Sequence, residues 1–107
     1  MDQDDRLLKD LARFRRRLDE HLPGGVEHFT LFGSRATGRA HPESDVDVLV
    51  VSSGFEGQNF LQRARAVRRE WSLPQPIDVL CYTPAEFARL RAEVSIVSVA
   101  LAEGVAV

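Results

Sequence analysis

The chain has 107 residues, of which 44% are hydrophobic and 28% are charged, and its formal net charge is −2. This length suits one domain over residues 1–107, and the near-neutral charge argues against a dedicated DNA-binding module. No apolar run approaches the roughly 20 residues of a membrane span, the acidic start lacks a signal-peptide core, and the single Cys81 excludes an intramolecular disulfide. We therefore expect a cytoplasmic protein with no membrane association, and nucleic acid is not an expected partner.

The first half of the chain alternates helical and extended patterns. Residues 3–21 repeat apolar side chains every three or four positions, which predicts an amphipathic helix that ends at Pro23-Gly24-Gly25. Residues 26–32 are rich in β-branched and aromatic side chains and predict a strand. Residues 33–38 then predict a tight turn that opens a short helix. Residues 45–51 are strongly apolar after their start, which predicts a central second strand.

The second half begins with another long helix, predicted over residues 59–71. Its inner face is expected to consist of apolar side chains, namely Phe60, Leu61, Ala64, Val67 and Trp71. Residues 77–82 predict a third strand. The sequence Thr83-Pro84-Ala85-Glu86 is typical of a helix start with a capping box, and this helix is expected to break near residue 93 and to end at Gly104. Residues 105–107 could add a terminal strand fragment.

This order of elements predicts the fold class. Strands that alternate with helices indicate an α/β (α+β-like) fold with some parallel strand pairs. We expect a single mixed sheet of three to four strands, with the helices packed mainly on one face.

Two aspartates stand at the head of the predicted second strand. Asp45 and Asp47 are two residues apart, so on a strand their side chains point to the same side. Two neighbouring carboxylates repel each other unless a positive charge lies between them, and Mg²⁺ prefers such oxygen ligands. A solvated pair of surface aspartates is the alternative interpretation of the same spacing.

A glycine and a serine precede them at the turn after the first strand. Gly33 permits a sharp turn and the close approach of a ligand, and Ser34 places a hydroxyl and backbone N–H groups where a phosphate oxygen could bind. The same pair is also common as an ordinary helix start. Asp78 introduces a charge into the third strand and could complete a carboxylate triad, or it could be an edge-strand charge that prevents aggregation.

Taken together, these positions resemble a known motif. Gly33-Ser34-Arg35-Ala36-Thr37-Gly38, then Ser44-Asp45-Val46-Asp47-Val48-Leu49-Val50, then Asp78 resemble the nucleotidyltransferase superfamily of the DNA polymerase beta type. The similarity is greatest to its minimal nucleotidyltransferase (MNT) members, and it covers most of the chain. No motif position departs from the pattern.

The resemblance implies an activity and a role for each residue. Members of this superfamily transfer a nucleoside monophosphate from a nucleoside triphosphate to an acceptor and release pyrophosphate. By motif position, Asp45, Asp47 and Asp78 would be the catalytic and metal-binding residues, holding two Mg²⁺ ions, with Asp78 also orienting or deprotonating the acceptor hydroxyl. Gly33 and Ser34 would hold the triphosphate of ATP, the expected donor. Arg35 and Arg39 would add positive charge near the phosphates, or would be solvated residues of a helix face.

The resemblance also implies a partner. Minimal members are commonly encoded beside a HEPN-domain toxin, which they neutralise as antitoxins, in some cases by adenylylating a tyrosine. A non-catalytic antitoxin that only binds its partner is one alternative. A small-molecule nucleotidyltransferase of the aminoglycoside type, which would need a second subunit, is another. The chain could assemble with itself or with the toxin. A basic cluster on the second long helix could dock an acidic partner or could be a solvated face; it comprises Arg63, Arg65, Arg68 and Arg69.

Overall fold

The computed structural model describes residues 3–38 and 44–107. Its elements follow the predicted order, and they are α1 (Gln3–His21), β1 (His28–Phe32), α2 (Ser34–Thr37), β2 (Val46–Val51), a 3-10 turn (Ser53–Phe55), α3 (Phe60–Arg68), β3 (Ile77–Tyr82), α4 (Pro84–Arg91), α5 (Ile96–Glu103) and β4 (Val105–Ala106). The predicted helix break near residue 93 separates α4 from α5, and the predicted terminal strand fragment is β4. Within the described part of the chain, no helix has the length and apolar character needed to cross a membrane.

The four strands form one mixed sheet in the order β3-β2-β1-β4. β2 pairs in parallel with β3 and antiparallel with β1, and β4 pairs antiparallel with the other side of β1. The central position predicted for β2 is confirmed, since Val46, Val48 and Leu49 are all fully buried. A strand that is covered on both faces needs this nearly continuous run of apolar residues.

The two longest helices, α1 and α3, pack on one face of the sheet. The apolar stripe predicted for α1 is buried there, and the buried side chains are Leu7, Leu11, Phe14 and Leu18. Phe14 makes edge-on contacts with Phe29 of β1 and with Trp71 after α3, at ring distances of 5.9 and 5.0 Å. Burial of each such apolar side chain contributes about 1.5–3 kcal/mol, and this layer is the larger of the two apolar clusters among the described residues.

The two shorter helices, α4 and α5, cover part of the opposite face. There Phe87 and Val97 pack against Leu49, Val51 and Tyr82 of the central and edge strands. On this face of β2, Leu49 is buried, whereas Asp47, two residues earlier, is half-buried, and Asp78 beside it on β3 is exposed. The helices on this side therefore leave one end of the sheet accessible.

The start of α4 confirms the predicted capping box. The Thr83 hydroxyl accepts a hydrogen bond from the Glu86 backbone N–H, and the Glu86 carboxylate accepts one from the Thr83 N–H. Two further boxes start α3 and α5, in which Asn59 pairs with Gln62 and Ser95 with Ser98. These reciprocal bonds satisfy backbone donors that a helix start leaves free.

The expected inner face of α3 is wrong at its first turn. Phe60 and Leu61 are 60% and 63% exposed, while Val67 is fully buried as predicted. This turn lies at the end of β3, where the Phe60 ring contacts Tyr82 and the Arg63 guanidinium and otherwise faces solvent. The apolar core therefore begins only with the later turns of the helix.

Arg63 also departs from the prediction of a solvated basic face. It is only 6% exposed, and its guanidinium donates to the Glu86 carboxylate at 2.7 Å and to the backbone oxygens of Gln58 and Cys81 at 2.9 and 3.2 Å. A buried cation is tolerated because all these acceptors compensate for its lost hydration. Arg63 thus joins α3, β3 and α4, and the exposed basic cluster is reduced to Arg65, Arg68 and Arg69.

Candidate functional site

Two of the predicted site residues lie side by side on neighbouring strands. In the parallel pairing of β2 with β3, Asp47 is in register with Asp78, and on the other side Asp47 is in register with Phe32 of β1. Adjacent strands are about 4.8 Å apart, and residues in register point to the same face. Both carboxylates therefore belong to the row of the sheet that α4 and α5 leave uncovered.

Asp45 immediately precedes β2 on the same side of the chain. Val46, between the two aspartates, is fully buried in the layer beneath α1, and its N–H donates to the Pro76 carbonyl at 2.8 Å. Because side chains alternate along an extended chain, Asp45 is directed toward the face that carries Asp47. Asp45 and Asp78 are exposed and Asp47 is half-buried.

The electrostatics of Asp47 reflect this arrangement. Partial burial raises the pKa of its carboxyl group above the ordinary value, and the negative charges of Asp78 and Asp45 raise the pKa further. The carboxylates are thus close enough to repel one another. A cation placed among them would remove the repulsion and favour the ionised form.

Gly33 adjoins Asp47 at the end of β1. Its backbone has φ 74° and ψ −156°, a region that essentially only glycine occupies. A Cβ at this position would collide with a carboxylate oxygen of Asp47 and would crowd the Asp47 Cγ and Cβ atoms at 3.1 and 3.3 Å. Glycine is therefore required twice, once for the backbone turn and once for the space that the carboxylate fills.

Ser34 begins the single-turn helix α2, which the Gly33 carbonyl anchors by accepting from the N–H groups of Ala36 and Thr37. Arg35 extends from this turn to the segment before Asp45, and its Nε and Nη2 atoms donate to the Ser44 carbonyl at 3.1 and 2.7 Å. These two hydrogen bonds connect α2 to Ser44, the residue before Asp45. Arg35 therefore has a positioning contact that its place in the sequence does not reveal.

The donor set can be compared with what a metal ion requires. In the described part of the chain, no group of three or more His, Cys, Asp or Glu side chains is gathered closely enough to form a ready-made metal cage. Mg²⁺ does not require one, because it is usually bound by one or two carboxylates together with water and substrate phosphates. The Asp47–Asp78 pair, with Asp45 beside it, fits such an open carboxylate site.

The structure brings together most of the residues predicted for the site. Gly33, Asp47 and Asp78 adjoin across three strands, with Ser34 and Asp45 next to them in the chain. Arg39 lies outside the described residues. Sequence reasoning missed Phe32, which stands in register beside Asp47, and it named Ser44 in the motif without foreseeing that the Ser44 carbonyl accepts from Arg35. The apolar pattern predicts that Phe32 lies in a strand but not which residue it adjoins, and no spacing signals the Ser44 contact.

Comparison with known proteins agrees with this geometry. Residues 11–107 match the family profile described as nucleotidyltransferase domain. Among solved structures, the chain is similar to a protein from Sulfolobus solfataricus proposed to be a nucleotidyltransferase, with 24% identity, a TM-score of 0.68, and coverage of 96% of this chain and 80% of that one. It is also similar to a toxin–antitoxin structure with AMP-PNP, with 19% identity, a TM-score of 0.61, and coverage of 92% and 69%.

At these identities the structural similarities establish the fold alone, and comparison with curated protein sequences gave no significant match. The family match carries more weight because it spans almost the whole chain, including every residue of the aspartate row and the Gly33–Ser34 turn. The chain therefore belongs to the nucleotidyltransferase domain family.

Proposed function

We propose that this protein is a Mg²⁺-dependent nucleotidyltransferase that transfers AMP from ATP to an acceptor hydroxyl. The observation that carries the proposal is the row formed by Asp47 and Asp78 in register on parallel strands, with Gly33 packed against Asp47. This row lies on the accessible part of the sheet, next to a turn suited to phosphate oxygens.

Each site residue has a role in this proposal. Asp45, Asp47 and Asp78 would hold Mg²⁺, which when bound neutralises triphosphate charge and lowers the pKa of an acceptor hydroxyl. Gly33 and Ser34 would bind the triphosphate, since the absence of a side chain at Gly33 lets a ligand approach the backbone. Asp78, exposed on the edge strand, would orient the acceptor hydroxyl and receive its proton.

Arg35 has a narrower role here than a direct phosphate ligand. Its bonds to the Ser44 carbonyl would hold the segment before Asp45 in place, and its positive charge would add to the potential near the phosphates. Arg39 is proposed for the same electrostatic contribution on its motif position alone.

We propose further that the acceptor is a tyrosine of a HEPN-domain toxin and that the protein acts as its antitoxin. The fold similarity to a toxin–antitoxin structure with AMP-PNP supports a partner protein and an adenine nucleotide. The two parts of the proposal are separable, because a nucleotidyltransferase could use ATP with another acceptor.

The test is transfer of label from α-labelled ATP to a HEPN protein encoded by the neighbouring gene, with and without Mg²⁺. Asp45→Asn with Asp47→Asn should abolish transfer. The matched control is Glu56→Gln with Glu93→Gln, two exposed acids away from the row, and it should retain transfer.

Three results would contradict the proposal in different ways. Label transfer that survives the aspartate double substitution would remove these residues from the chemistry. Neutralisation of the toxin by that double variant would instead favour a non-catalytic, partner-binding antitoxin. Labelling of an aminoglycoside but not of the protein would redirect the acceptor to small molecules.

A further inference from the structure

The outer face of α3 concentrates positive charge and apolar surface. Arg65, Arg68 and Arg69 are exposed, and the described part of the chain supplies no ion pair or hydrogen-bond acceptor to any of their guanidinium groups. Leu61, 63% exposed, lies one turn before Arg65 on the same side of the helix. We name these four residues the α3 face. Arg65 and Arg68 belong to the last turn of α3, and Arg69 directly follows it, so three cations are concentrated at this helix end in a chain whose net charge is −2.

The α3 face carries a shallow, open hollow. One hollow of about 450 Å³ is lined by its four residues, Leu61, Arg65, Arg68 and Arg69. A second cavity of about 340 Å³ adjoins it between α3 and the end of α1, where Arg65 and Arg69 face Pro23 and Gly54. Beside this second cavity, the His21 Nδ1 atom lies 3.3 Å from a carboxylate oxygen of Glu70. The arginines therefore border two shallow hollows on the surface of the protein.

We propose that the α3 face is a docking surface for an acidic, amphipathic helical segment of a partner protein. The arginines stand at helical spacings of three and four residues, which match carboxylates at the same spacings on a helix lying alongside. Leu61 offers the apolar contact that such a helix would bury beside its charges. Arginine suits this role because its planar guanidinium pairs with a carboxylate through two hydrogen bonds.

The mixture of charge and apolar surface selects a protein over a nucleic acid. The phosphate backbone of a duplex gains affinity from cations and would leave Leu61 facing water. A protein segment would cover Leu61 and would pair with the arginines at the same time. Electrostatic complementarity of this kind mainly determines partner choice and association rate.

Docking on the α3 face would leave the aspartate row open. α3 packs on the α1 side of the sheet, through Val67, whereas Asp47 and Asp78 belong to the opposite face. A partner held here would therefore not obstruct the candidate catalytic site. The inference does not depend on the proposed transfer activity, and the two can fail separately.

The probe is a fluorescent synthetic helical peptide with leucine on one face and glutamate at the flanking positions, titrated with the whole protein by anisotropy at low salt. A version with glutamine in place of glutamate measures the charge contribution. Arg65→Glu with Arg69→Glu should weaken binding of the glutamate peptide at least tenfold. The matched control, Arg16→Glu with Arg89→Glu, makes the same net charge change on exposed positions of α1 and α4 and should change binding less than about twofold.

Circular dichroism and thermal unfolding establish that each variant is folded, and Arg65→Gln with Arg69→Gln replaces the reversal if that variant unfolds. Equal weakening by both double reversals would overturn the inference, since net charge alone would explain it. Equal affinity for the glutamine peptide would also overturn it, as would tighter binding of a DNA duplex than of the glutamate peptide. An unchanged shift in unfolding temperature with Mg²⁺ and ATP would show that the variants leave the nucleotide site intact.

Discussion

Gly33→Ala provides the most direct test of how the candidate site is built. The substitution places alanine at φ 74° and ψ −156°, where the backbone strain of a non-glycine residue reduces the free energy of unfolding by about 1–3 kcal/mol. The new Cβ would also collide with the terminal carboxylate oxygen of Asp47 and would crowd its Cγ and Cβ atoms at 3.1 and 3.3 Å, so the Asp47 side chain would have to move. We therefore expect a total destabilisation of about 3 kcal/mol.

Urea and thermal unfolding would measure this loss. For a domain of this size, about 3 kcal/mol corresponds to a decrease in Tm of roughly 10–20 °C. The matched control is Gly57→Ala, because Gly57 also has a positive φ of 78° but a Cβ added there would meet no described atom within 4 Å. Its expected cost is about 1–2 kcal/mol, from the backbone alone.

The two glycine substitutions should also differ in ligand response. Gly33→Ala displaces Asp47, so it should reduce the stabilisation that Mg²⁺ with ATP gives to the folded protein, whereas Gly57→Ala should retain it. If Gly33→Ala were no more destabilising than Gly57→Ala, the close packing of Gly33 against Asp47 would be refuted. If it were destabilised but kept the full ligand response, Asp47 would not be a ligand.

Three further predictions concern single ionisable groups. Asp47→Asn should stabilise the metal-free protein by up to about 1 kcal/mol at neutral pH, because it removes a charge that partial burial desolvates and that Asp78 and Asp45 repel. The same substitution should abolish stabilisation by Mg²⁺ in thermal unfolding. Burial of Glu86 acts to raise its pKa, but hydrogen bonds from the Thr83 N–H and the Arg63 guanidinium outweigh burial and lower the pKa. Glu86→Gln should therefore reduce the free energy of unfolding by about 1–3 kcal/mol at pH 7. In urea titrations, this difference should disappear as the pH falls below the ordinary value of 4.5 and through the lowered pKa. Burial raises the pKa of the Cys81 thiol to about 12, so at pH 8 a thiol reagent should label it only after denaturation, and rapid labelling of the native protein would contradict its placement.

The sequence pattern anticipated the elements that depend on local chemistry. The apolar stripe of α1, the apolar run of β2 and the capping box of Thr83 with Glu86 are all properties of neighbouring residues, and each is confirmed. The mixed sheet was predicted as a class, whereas the register of Asp47 with Asp78 required the parallel pairing itself. Motif similarity, rather than periodicity, pointed to these aspartates as a group.

The error in α3 has a non-local cause. Helical periodicity places Phe60 and Leu61 on the face that also carries Val67, but it contains no information about where the sheet ends. Similarly, the sequence around Arg63 does not show that its side chain is buried. Its hydrogen-bond acceptors belong to Gln58, Cys81 and Glu86, which lie on three other segments. Tertiary contacts of this kind outweigh the local pattern.

The parallel pairing of β2 with β3 also couples the candidate site to the cooperativity of folding. Gly33 directly follows β1, and Asp47 and Asp78 are the second residues of β2 and β3. The two aspartates therefore meet only after the connection through α3 has brought β3 alongside β2. Such a crossover contact is among the more slowly formed, because its loop must close before any pairing energy is gained. A chain that has formed only α1 and the antiparallel β1–β2 pair would have Asp47 in place but not Asp78. An ion or nucleotide that needs both carboxylates would therefore bind only the native state, and its binding would shift the unfolding equilibrium toward that state.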